Sequence, residues 1–109
     1  MLKGYRFVMR NRWNPRLPQP GRPDIEMVFD LLLAESWLAK CELVARRPEL
    51  AARARAVLAR EVGEARRRGD DDDARLYAAH VSLLDEIARR GLAVVQAEIL
   101  RVLACRDAC

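Results

Sequence analysis

Threonine is absent from the 109 residues and aromatic side chains make up only 6% of them. Strands draw on β-branched and aromatic residues, so this composition excludes a β-rich fold. Lysine is scarce, with 18 Arg against two Lys, a bias that points to a GC-rich bacterial coding sequence. Three cysteines form an odd and sparse set, unlike the even framework of a secreted disulfide domain. Cys41, Cys105 and Cys109 are therefore expected to be reduced thiols in a cytoplasmic protein. No apolar run approaches the ~20 residues that cross a bilayer, which excludes an integral helical membrane protein. Residues 1–10 lack the continuous apolar stretch of a secretory signal, and residues 1–23 lack the serine of a mitochondrial presequence.

The chain does have apolar residues enough for one modest core: 51% of it is hydrophobic and 33% charged. The net charge of +4 is unevenly placed. Six basic residues and no acid fall within residues 1–23, leaving 14 basic residues against 16 acidic ones in the rest. Pro15, Pro18, Pro20 and Pro23 each remove a backbone donor and push the residue before them toward extended geometry, so no helix is expected over residues 14–22. Ahead of them Tyr5, Phe7 and Met9 alternate imperfectly with Arg6, Val8 and Arg10, a pattern compatible with one strand, for which the sequence offers no second strand as partner. Residues 1–23 read as a basic, proline-rich arm, extended or disordered, and residues 24–109 as a helical domain.

Three or four helices are expected. Pro23, Asp24 and Glu26 open the first, over residues 24–46, with Ile25, Val28, Phe29, Leu32, Ser36, Ala39 and Leu43 on its apolar stripe and Leu33 and Trp37 widening it. Pro48 starts the second, over 48–68, which sets Leu50, Ala54, Val57, Leu58, Val62 and Ala65 on one face. Arg66-Arg67-Arg68, then Gly69, then four aspartates read as a helix stop followed by the cap of a third helix over 73–90. Its inward face carries Leu76, Tyr77, His80, Leu83, Leu84 and Ile87. Gly91 either breaks or bends the chain before a fourth segment, 92–105, with Val95, Ile99, Val102 and Leu103 on a face. The fold class is all-α, an antiparallel helical hairpin or a bundle of three to four helices with an extended basic N-terminal arm.

Residues 44–100 resemble a helical hairpin of bacterial proteins that join tetratricopeptide-like repeats to a caspase-like CHAT domain. The resemblance rests on Arg47-Pro48-Glu49-Leu50, on Ala65-Arg66-Arg67-Arg68-Gly69-Asp70, on Leu83-Leu84 and on Arg89-Arg90-Gly91. It covers about half the chain and implies a protein-interaction scaffold. It carries over no catalytic residue, since the protease-like domain with its Cys/His pair has no counterpart here. The tetratricopeptide repeat's own Trp/Gly/Tyr pattern is not visible at its 34-residue period.

Candidate chemistry is thin. His80 is the only histidine, and its place on an apolar stripe suits a packed, hydrogen-bonded ring better than a base for Cys41, which has no Gly-rich oxyanion turn near it. Cys105 and Cys109 share a helical face and with Cys41 and His80 could total four zinc ligands, but the spacing departs from the paired pattern of structural zinc sites. The aspartate run lacks the alternating oxygen ligands of an EF-hand loop, and Arg68-Gly69-Asp70 is explained by helix termination. No cofactor, no metal and no catalytic constellation are expected. The expected function is a non-catalytic protein-interaction or assembly module, binding a protein partner or its own copies. Its contacts would be Tyr5, Arg6, Phe7, Arg10, Arg12, Trp13 and Arg16 of the arm with Phe29, Leu33 and Trp37 of the first helix. The alternative is a small nucleic-acid-binding accessory protein, in which the arm's arginines neutralise phosphates while its aromatics stack on bases.

Overall fold

The computed structural model describes residues 21–108. The arm residues from Tyr5 to Arg16, the strand expected among them and Cys109 lie outside the described residues. Within them the chain is all-α: α1 (Arg22–Leu33), α2 (Trp37–Arg46), α3 (Pro48–Arg68), α4 (Asp71–Arg90) and α5 (Leu92–Ala108), with no strand among the described residues.

α3 and α4 form the central hairpin, and the sequence punctuation between them works as read. Gly69 takes the left-handed conformation, φ 77°, and its N–H and that of Asp70 return to the Arg66 and Ala65 carbonyls at 3.0 and 2.9 Å. Glycine has no Cβ to clash there. The Asp70 carboxylate then accepts from the Asp73 N–H at 3.1 Å, so α4 begins at Asp71 rather than at residue 73. On the outer side Arg55 donates to Asp85 through two nitrogens, at 2.8 and 3.2 Å.

α1 lies against α3. Met27, Val28 and Leu31 are buried with Val44, Leu50, Ala54, Val57, Leu58, Val62, Ala65, Ala74, Tyr77 and Leu84 in the main core. The α3 face read from the sequence is the buried one in full. That of α1 is rotated, since Met27 and Leu31 are buried while Phe29 and Leu32 are half-buried. Leu76 of α4, expected inward, is exposed. Tyr77 sits in this core near Asp73 and Glu61, and burial, followed by those two negative charges, pushes its phenol up to about 12.

The single first helix expected over residues 24–46 is two helices. The Ala34-Glu35-Ser36 segment leaves helical geometry, and Ser36 restarts the chain as an N-cap whose hydroxyl accepts from the Ala39 N–H at 3.1 Å. The reason is local: a serine offers its hydroxyl to backbone N–H groups and so competes with helix continuation. With that break, and with α5 separate, five helices stand among the described residues where three or four were expected. Gly91 breaks the chain outright, at φ 97° and ψ 147°, and α5 packs back on α2 and α4.

Candidate functional site

The break before α2 creates a small buried polar centre. Lys40 is buried, and its ammonium donates to the Leu31 carbonyl at 2.5 Å and to the Ala34 carbonyl at 3.2 Å, satisfying the acceptors that the end of α1 leaves open. Its Nζ also stands 5.4 Å from the Trp37 ring centroid. Burial pushes this ammonium below its ordinary range. His80 of α4 closes the other side, its ring centroid 5.3 Å from that of Trp37 and its Nδ1 2.8 Å from the Leu76 carbonyl. In the neutral ring that nitrogen is the donor. Burial holds His80 below the ordinary imidazole range. The Leu76 and Leu31 carbonyls favour the proton, and the Lys40 charge opposes it.

Next to this centre Cys41, with no exposed surface, packs with Leu83 and Val95 in a second apolar cluster that Ile87, Leu92 and Ile99 border. Burial pushes its thiol up, away from the thiolate that nucleophilic or metal chemistry needs. Cys105 is exposed on α5. Among the described residues no three His, Cys, Asp or Glu side chains stand together in a way that could hold a metal ion.

Leu83, Val95 and Ile99 of this second cluster also line an open groove of about 470 Å³. Trp37 forms one wall, Ala79, Leu83 and Glu86 of α4 another, and Val95, Ile99, Val102 and Leu103 of α5 the third. Trp37 is thus shared: it covers the Lys40–His80 pair and presents the rest of its ring to the groove, 42% exposed. Arg90 reaches across the Gly91 break to Glu98 at 2.5 Å and stands 3.6 Å from Glu86, which Arg89 also pairs at 2.5 Å. Arg106 also lines the groove.

α5 departs from an ordinary surface helix. An amphipathic helix buries one stripe and shows polar residues elsewhere, whereas α5 is apolar on most of its circumference. Val94, Leu100, Val102 and Leu103 are all exposed, and every residue from Leu100 to Arg106 faces solvent.

The three first-helix residues expected to form one contact face do not share one. Trp37 belongs to the α4–α5 groove; Leu33 lines a separate groove with Ala34, Ala39 and Leu43 between α1 and α2; and Phe29 is half-buried on α1. The break at residues 34–36 divides them. The α5 residues that the sequence sets on one face differ in burial: Val95 is buried, Ile99 half-buried, and Val102 and Leu103 open. The signal available in the sequence was the apolarity of α5 on several sides at once.

No family model, no curated protein and no solved structure matches this chain. None of the described helices is long and apolar enough to cross a membrane.

Proposed function

We propose that the protein is a non-catalytic interaction module of the cytoplasm, whose contact surface is the α4–α5 groove walled by Trp37. One observation carries this reading: Val102 and Leu103, 52% and 40% exposed, stand beside an apolar floor on a helix with little polar surface to keep it in water. Trp37 supplies a large, rigid aromatic anchor at the groove wall, the kind of residue on which binding energy concentrates. The resemblance of residues 44–100 to a scaffold hairpin points the same way, and the basic arm, with its aromatics, would add a second contact. Lys40 is a helix-end support in this reading, since its ammonium is spent on the Leu31 and Ala34 carbonyls, while His80 gives its Nδ1 to the Leu76 carbonyl of its own helix.

The test is a pair of surface variants. Val102→Glu and Leu103→Glu are expected to leave helicity unchanged, because both side chains already face water, while abolishing whatever association the wild-type chain makes. An association that survives both variants overturns the groove as the contact surface.

A further inference from the structure

We infer that the Lys40–His80–Trp37 centre is an acid-operated latch. A proton on His80 Nε2 takes the Leu31 carbonyl from the Lys40 ammonium, and the start of α2, with Trp37, swings away from α1. In the neutral ring Nδ1 donates to the Leu76 carbonyl, while Nε2 is buried with no hydrogen-bond partner among the described residues. Protonation turns that nitrogen into a donor, and a buried donor left unmet is costly. The acceptor that acts on it is the Leu31 carbonyl, which Lys40 holds at 2.5 Å. Two cations brought to one buried oxygen repel each other strongly. His80 is tied by its Leu76 bond to the central hairpin, whereas Lys40 hangs on a flexible stem beside the exposed Glu35-Ser36-Trp37 stretch, so Lys40 is the one that leaves for water. With it goes a tie between α2 and the end of α1, and the Trp37 ring loses the cation beside it. Cys41, packed on Leu83 and Val95, holds the rest of α2 in place.

The other charges nearby leave the ring to this contest. Tyr77, one turn earlier on α4, has its phenol pushed up to about 12 and stays neutral; Glu61 of α3 and Asp73 act on that phenol. Cys41 of α2 stays a neutral thiol, pushed up by burial. On the groove side Glu86 is paired by Arg89 and Arg90, and Glu98 of α5 by Arg90. Among the described residues the charge that acts on His80 is Lys40. The latch needs no occupant in the groove and so goes beyond the interaction-module reading, although Trp37 also walls that groove.

The experiment takes the full chain, in a Trp13→Phe background, from about pH 8 to 5. It follows the titration of the one histidine by NMR, helix content by circular dichroism, and quenching of Trp37 by acrylamide. Acrylamide reports exposure of the indole, which an imidazolium dimming its emission does not imitate. Trp37 is 42% exposed in the closed latch, so its quenching is expected to rise by up to about twofold along the ring's titration, with the helix signal kept. Lys40→Met removes the opposing charge and frees the carbonyl, so the ring should titrate at higher pH than in the wild type and the acid-driven rise should vanish. His80→Asn keeps a donor for the Leu76 carbonyl without a titrating nitrogen, and its quenching should not change with pH. A ring that titrates while Trp37 exposure stays constant overturns the latch, as does a ring that stays neutral across the range or exposure that rises only as helix is lost. So does a Lys40→Met ring that titrates no higher than the wild type, or a rise that persists in His80→Asn. Should either variant fail to fold, the wild-type comparison decides by itself.

Discussion

The Lys40 ammonium reaches back over nine residues to the Leu31 carbonyl, 2.5 Å away, and so joins the start of α2 to the end of α1. A buried cation is costly unless its hydrogen bonds are made, and here two carbonyls at a helix C-terminus, where the dipole is negative, receive it. Replacing Lys40 by methionine keeps the alkyl stem but leaves the Leu31 and Ala34 carbonyls without this donor. Lys40→Met is expected to lower stability by about 1–3 kcal/mol, the scale of a lost charged hydrogen bond, read by denaturant unfolding. Lys40→Arg should not recover the loss, because the planar guanidinium does not fit a site shaped for a point donor.

Acid is expected to act through His80. Its folded-state pKa is depressed, so the unfolded chain takes up the proton first, and the stability present above the ordinary imidazole value of ~6.5 is lost as pH falls below it. The sequence contains one histidine, which makes the window between about pH 5 and 7 nearly specific to this ring. Unfolding free energy measured across that window should decline toward acid, and His80→Leu should flatten the decline. Trp37, centred 5.3 Å from the ring, provides an optical report of the same event in a Trp13→Phe background.

How far these features were legible depends on whether the signal was local. The α3–α4 hairpin could be read closely because each part of its turn acts within a few residues: three arginines at a negative helix end, a glycine that tolerates positive φ, and an aspartate that caps the next helix. The break between α1 and α2 is also local, but its cue was a single serine on an otherwise apolar stripe, followed one turn later by Lys40 on the same side. Apolar periodicity runs on through both helices, and periodicity alone does not report a change of direction. The Lys40–His80–Trp37 cluster was beyond reach for another reason: His80 is forty residues from Lys40 in sequence, and the pairing depends on how α4 packs against the break. The groove was half legible. Trp37 stood out as excess apolar width, but its neighbours come from α5, whose direction Gly91 decides.

Gly91 and Gly69 both stop helices, yet substitution should separate them. Gly69 sits in the left-handed helical region at φ 77° and ψ 18°, which other residues enter at a cost of about 1 kcal/mol. Gly91, at φ 97° and ψ 147°, lies near a region that is essentially glycine's alone. Gly69→Ala is expected to cost about 1 kcal/mol with the fold intact, whereas Gly91→Ala should cost up to about 3 kcal/mol. It should also shift α5, loosening the packing of Val95 on Cys41 and Leu83. Thermal unfolding measures the first difference, and accessibility of Cys41 to alkylation measures the second.

The two described thiols supply that readout. Cys41 has no exposed surface and a thiol pushed up by burial, while Cys105 is exposed on α5. Since the thiolate is the reacting form and must also be reached, iodoacetamide should modify Cys105 in the native protein and Cys41 only after unfolding. Peptide mapping by mass spectrometry assigns each site separately from Cys109. Cys41 should respond to denaturant alone, because what covers it is Leu83 and Val95 of its own chain. Slow alkylation of Cys105 in the native protein would mean that α5 is covered, contrary to its exposure.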